Sequence, residues 1–147
     1  MVSRYHSTVD YDVYLDIDGV LLANDLNAAN HVHDFLRKAT SEHPVYWLTT
    51  HCQGDVVPTI KRLQLVLPEA TMQLVMNIKP SRWETAKTEA INFSRPFVWF
   101  DDDLFSDERV ALKEHGVLDN WIEVDLAKDP DQLRAFATSF PLPVNPA

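Results

Sequence analysis

The strongest constraint on the fold is a series of short, continuous apolar runs, each followed by polar residues and then by a helical pattern. The runs are Asp12 to Ile17, Val45 to Thr49, Thr71 to Met76, Pro96 to Phe100 and Trp121 to Val124. Their apolar character is unbroken rather than alternating, as expected of strands covered on both faces; such strands are parallel and need helical crossovers. The intervening segments supply them. Val32, Phe35, Leu36 and Ala39 recur at helical spacing. Asp55 can cap a helix with Pro58 in its first turn and Val57, Ile60 and Leu63 as its apolar stripe, closed by Pro68. Ser81 and Glu84 match a capping box and predict a helix reaching about Asn92. Ser106 can cap another helix, ended by Gly116, and Asp129, Pro130 and Gln132 suit the start of a last one. The fold class is therefore α/β: a Rossmann-like three-layer sandwich, with a central parallel sheet of about five strands and helices on both faces. A chain of 147 residues suits one domain, residues 1–140, with 141–147 ("PLPVNPA") as a flexible tail.

In parallel sheets ligands bind at the carboxyl ends of the strands, so the residues just after each run matter most. Asp16 and Asp18 follow the first, with Gly19 behind them; Thr49 and Thr50 follow the second; Asn77 and Lys79 the third; Asp101, Asp102 and Asp103 the fourth. All would converge on one sheet edge. Two carboxylates about 4 Å apart repel by roughly 4 kcal/mol at an effective dielectric near 20, so this many acids call for a cation. Oxygen donors without a histidine or cysteine select Mg²⁺ over zinc. A hydroxyl and an ammonium beside it are the donors a phosphoryl group needs.

Composition narrows the partners. A net charge of −9, from 13 basic and 22 acidic residues, argues against broad sequence-independent nucleic-acid binding. It leaves a phosphate substrate open, because a bound divalent cation reverses the local field. The single cysteine, Cys52, rules out an internal disulfide and fits a reducing compartment. No apolar run reaches the length of a membrane span and the first ten residues lack a signal-peptide core, so the expected location is the cytoplasm, with no membrane partner. His31 and His33, two positions apart on a helix, point to different faces and read as surface residues. His51, two residues past Thr49, is a candidate to reach the site.

The segment "LDIDGVL" resembles the first motif of the haloacid dehalogenase superfamily, D-x-D-G-[VT]-L after apolar residues. "YWLTT", "NIKP" and "FVWFDDD" are similar to its second, third and fourth motifs, in the same order, across Asp12 to Asp103. The resemblance implies a phosphatase-type enzyme in which Asp16 is the nucleophile, giving an aspartyl-phosphate, and Asp18 the general acid/base. It implies Mg²⁺ bound by Asp16, the Asp18 main-chain carbonyl and Asp101, with Asp102 in or near the shell. Thr49 and Lys79 would hold the phosphoryl oxygens. Thr50 replaces Thr49 if the strand runs one residue further. Lys87 competes with Lys79, but it falls in the middle of the predicted Ser81–Asn92 helix, where a solvated face is the simpler role. Asp103 is either a third metal-shell acid or, the favoured reading, a helix-start residue.

Many relatives of this kind carry a cap domain after the first motif or between the second and third. Here the two gaps, Val20 to Leu48 and His51 to Asn77, each hold one predicted helix and leave no room for a cap. The chain therefore resembles capless members, whose open sites suit a phosphorylated protein, a nucleic-acid end or a nucleotide. "WLTT" with "VWFDDD" is similar to small bacterial and phage members, some joined to nucleic-acid repair modules. Two other functions use the same residue types: a non-catalytic phospho-receiver binding Mg²⁺, and a phosphotransferase. Receivers, however, place their lysine after both acid clusters, whereas Lys79 precedes the second cluster here.

Overall fold

The computed structural model describes residues 10–144. It has an α/β fold built on a four-stranded, all-parallel sheet. In chain order the elements are β1 (Asp12–Leu15), α1 (Val32–Glu42), β2 (Val45–Trp47), α2 (Val57–Gln64), α3 (Glu69–Val75), β3 (Phe97–Asp101), α4 (Ser106–Glu114), β4 (Trp121–Glu123) and α5 (Gln132–Thr138). Short 3₁₀ turns occupy Lys87–Ala90 and Leu118–Asn120. The strand order is β2-β1-β3-β4, with Leu15 opposite both Trp47 and Phe100.

Successive β1 side chains enter different clusters, as the pleat requires. Val13 and Leu15 join Phe35, Leu36 and Ala39 of α1, Leu63 of α2 and Leu133 of α5. Tyr14 joins Phe97 and Trp99 of β3 and Leu112 of α4. Trp47 and Trp99 are fully buried. Burying both faces explains the unbroken apolar runs.

Two elements differ from expectation. Thr71–Met76 is not a strand: residues 69–75 form α3, which starts where the Pro68 carbonyl accepts the amides of Thr71 and Met72. The β-branched content of the run mimics a strand, but Thr71, Met72 and Val75 are buried together at helical spacing. The place beside β2 is filled instead by a single-residue bridge. Lys79 pairs with Tyr46, donating its amide to the Val45 carbonyl and accepting from the Trp47 amide. Among the described residues the sheet therefore has four strands and a bridge rather than five strands.

The Ser81–Asn92 helix is also absent. The Ser81 hydroxyl donates to the Trp47 carbonyl and caps nothing. The amides of Glu84, Thr85 and Ala86 all donate to the Glu89 carboxylate, which curls the segment into an irregular loop ending in the Lys87–Ala90 turn. Smaller shifts occur elsewhere. Ser106 lies inside α4, whose first turn is tied by Glu108 accepting the Phe105 amide. The last helix starts two residues later than its Asp129 signal predicts, with Asp131 as its cap residue. Of the segment read as a loose tail, Pro141 accepts the Tyr11 hydroxyl and Val144 exchanges two hydrogen bonds with Asn120; residues 145–147 lie outside the described residues. No helix among the described residues is long and apolar enough to cross a membrane. His31 pairs with Asp131 and His33 with Thr71, so the two rings do face different elements.

His43, just past α1, gives the fold a pH dependence. Its ring lies 4.0 Å from the Tyr11 ring and 5.3 Å from the Phe140 ring, and its Nδ1 is buried without a partner among the described residues. Burial lowers its pKa, against the opposing charges of Glu42 and Asp10. A histidine depressed in the fold favours the neutral ring there, while the unfolded chain protonates near pH 6.5. Its contribution is therefore intact above about pH 6.5 and is lost as pH falls from there through the folded pKa. The thermal midpoint should drop as pH falls below about 6.5, and His43→Phe should flatten that slope. Equal slopes for the two proteins would reject this role.

Candidate active site

The carboxyl ends of β1 and β3 lie side by side, because the Asp16 amide donates to the Phe100 carbonyl at 3.1 Å. Counting the Lys79 bridge as a reduced third strand, the order becomes the doubly wound 3-2-1-4-5. The crevice at the chain's change of direction, between β1 and β3, is where such sheets bind ligands. Asp16 and Asp101 stand on either side of it.

Carboxylate oxygens of Asp16, Asp101 and Asp102 all lie within 4.8 Å of one another. Asp16 is 8 % exposed and Asp101 1 %. Asp16 Oδ1 accepts the Ile17 amide at 2.8 Å. Asp101 Oδ1 accepts the amides of Asp102 (2.8 Å) and Asp103 (3.3 Å), and its Oδ2 accepts Trp99 Nε1 at 3.2 Å. Trp99 and Asp101 are two apart on β3 and share a face.

The ammonium in this cluster belongs to Lys87. Its Nζ lies 2.7 Å from Asp101 Oδ2 and 3.3 Å from Asp16 Oδ2. Lys79 is exposed, and its ammonium sits 5.9 Å from the centre of the Tyr46 ring. Lys87 is delivered by the irregular loop that replaces the predicted helix. Its amide donates to Glu108 Oε2 at 3.0 Å, and Glu108 is buried. Burial lowers the Lys87 pKa, but the Asp16 and Asp101 charges outweigh it and hold the ammonium above its usual range. Burial and the Asp16 charge push Asp101 up to about 8, against the opposing effect of Lys87. Burial also raises Asp102. One lysine thus leaves the group of acids under-compensated. Oxygen donors at this spacing fit a hard divalent cation.

The remaining predicted residues lie around this cluster. Thr49 is fully buried, one residue past Leu48, whose amide donates to the Leu15 carbonyl; its Oγ1 accepts the His51 amide at 3.3 Å. Thr50 is exposed on the following turn. Asp18 is outside the three-acid cluster. Its Oδ2 meets His51 Nε2 at 2.8 Å and its Oδ1 accepts Arg62 Nη2 at 2.9 Å. Partial burial raises the Asp18 pKa, but the hydrogen bonds and charges of His51 and Arg62 more than reverse this and hold it below the usual range. Asp103 is exposed and its Oδ1 accepts the Leu104 amide at 2.9 Å, a turn contact. The sequence assigns no site role to Arg62, Trp99 or Glu108. Only the two-residue spacing of Trp99 and Asp101 could have flagged one of them.

Gly19 has a left-handed φ of 81°, and a Cβ there would lie 2.3 Å from Asp102 Oδ2 and 2.5 Å from its Cγ. A side chain would meet both a backbone penalty and a carboxylate of the site. Gly19→Ala should cost about 1–3 kcal/mol from backbone strain and displace Asp102. A fall in thermal midpoint with weaker Mg²⁺ stabilisation is expected; an unchanged midpoint would contradict the geometry.

The chain matches no family model, no curated protein and no solved structure.

Proposed function

We propose that the protein is a Mg²⁺-dependent phosphomonoesterase working through an aspartyl-phosphate on Asp16, on a Rossmann-like three-layer scaffold without a cap. The observation that carries this reading is the charge balance at the sheet edge: three aspartates and one lysine, Lys87, leave two negative charges when all are ionised. A divalent cation cancels that excess, and Asp16, Asp101 and Asp102 would hold it, with the Asp18 main-chain carbonyl as the fourth ligand the motif implies. Bound there, such a cation would neutralise charge on the phosphoryl oxygens.

The residues divide the chemistry as follows. An Asp16 oxygen attacks phosphorus, and the bond from phosphorus to the ester oxygen breaks. Asp18, held ionised at rest by His51 and Arg62, takes the proton of the phosphate monoanion and passes it to the departing oxygen. Its carboxylate then takes a proton from water as the water oxygen displaces Asp16 and releases orthophosphate. Thr49 and Lys87 bind the phosphoryl oxygens, so most of the acceleration comes from positioning and charge stabilisation. The open edge suits a phosphorylated macromolecule, a nucleic-acid end or a nucleotide. The buried lone Cys52 suits the reducing cytoplasm.

The test is hydrolysis of p-nitrophenyl phosphate with Mg²⁺ and with EDTA. Turnover that EDTA abolishes and Mg²⁺ restores is expected. Metal-independent turnover would reject the reading, and a stable phosphoprotein without turnover would favour a receiver.

A further inference from the structure

Asp18 stands on the turn after β1 with its side chain 49 % exposed, yet both of its oxygens are held. His51 Nε2 takes one at 2.8 Å and Arg62 Nη2 the other at 2.9 Å. Both holders are themselves fixed. The His51 carbonyl accepts the hydroxyl of Thr59 at 3.0 Å, and Thr59 is fully buried. The His51 amide donates to Thr49 Oγ1. Thr59 and Arg62 are three apart on α2 and so lie on one face. Arg62 Nε is buried without a partner among the described residues. One helix therefore braces His51 from behind and reaches Asp18 directly.

Ion pairs at this exposure add little to stability, so the trio is poorly explained as a device that holds the fold together. What it does restrict is direction. An exposed carboxylate on a turn would otherwise sample several rotamers. Proton transfer to a leaving oxygen depends on the carboxyl being within hydrogen-bond reach and aligned. We infer that Arg62 and His51 are positioning residues that aim the Asp18 carboxyl at the departing ester oxygen, making α2 part of the reaction machinery. This rests on the phosphomonoesterase reading above.

The test uses substituted phenyl phosphates of graded leaving-group ability. A p-nitrophenolate departs with little need of a proton, whereas an unsubstituted phenolate needs one more. Arg62→Ala and His51→Ala should lower kcat/KM by about 100-fold for phenyl phosphate, the lower end of the general-acid range. The same variants should lower it by less than about threefold for p-nitrophenyl phosphate, where acid assistance matters least. Arg62→Lys should recover part of the loss. Adding Arg62→Ala to Asp18→Asn should cost nothing further, since the positioned group is already gone. Equal losses across the series, or full additivity with Asp18→Asn, would overturn the inference. So would a raised KM at constant kcat, which would make Arg62 a substrate-binding group. A wild-type protein with no Mg²⁺-dependent turnover would instead overturn the phosphomonoesterase reading, and this inference with it. An active wild type with unaffected variants overturns this inference alone.

Discussion

Asp16→Asn should abolish phosphate-ester turnover, by on the order of 10⁴-fold or more, the scale of removing a covalent nucleophile. The substitution is close to isosteric, and an Asn Oδ1 can still accept the Ile17 amide that Asp16 Oδ1 accepts at 2.8 Å. It also removes one of the charges that push Asp101 up. The variant should therefore fold at least as well as the native protein, with an equal or higher thermal midpoint and less stabilisation by Mg²⁺. Turnover, thermal midpoint and acid-stable, base-labile ³²P incorporation during turnover distinguish a lost nucleophile from a lost fold. Residual activity within tenfold of wild type would remove Asp16 from its role.

The second large effect separates the two lysines. Lys87→Met should lower kcat by about 10²- to 10³-fold, the scale of losing one donor to a developing oxyanion. Lys79→Met should change kcat by less than about twofold, as expected of a group that makes no contact with the reacting oxygens. The difference follows from placement. Lys87 Nζ lies 2.7 Å from Asp101 and 3.3 Å from Asp16, with its side chain 12 % exposed, whereas Lys79 lies over the Tyr46 ring. Lys87→Met also strips the acids of their counter-charge. Removing one partner of a buried pair costs about 3–5 kcal/mol when the other stays charged; proton uptake by Asp101 reduces that cost, and added Mg²⁺ should recover much of it. Steady-state kinetics and Mg²⁺ titrations of thermal stability read both effects. If Lys79→Met is the variant that loses activity, the assignment is reversed.

The acids were legible from sequence because strand ends in a parallel sheet are dictated by local signals. An apolar run stops, and the next polar residues fall at the edge. Asp16 and Asp101 occupy such places, and the β1–β3 pairing brings them together. Lys87 was not legible as the nearer lysine, because "SRWE" satisfies a helix-start pattern that tertiary bonds override. Ser81 is taken by the Trp47 carbonyl, and Glu89, not a helix, gathers the amides of residues 84–86. The Thr71–Met76 run failed for a related reason: over six residues, strand and buried-helix patterns share the same composition. Arg62 reaches Asp18 only through the packing of α2, which no short motif records.

The Lys79 bridge also governs how this chain meets others. A sheet edge with free amides and carbonyls is a template on which another chain can add a strand. On the outer side of β2, Lys79 already occupies the Val45 carbonyl and the Trp47 amide, and the Ser81 hydroxyl occupies the Trp47 carbonyl. Pro80, between them, has no amide to offer. Three residues thus act as a plug: they use up most of the edge's hydrogen-bonding capacity and present none of their own in a continuous row. On that side, strand-by-strand growth into a larger assembly is stopped by the same short segment that leads into the loop carrying Lys87.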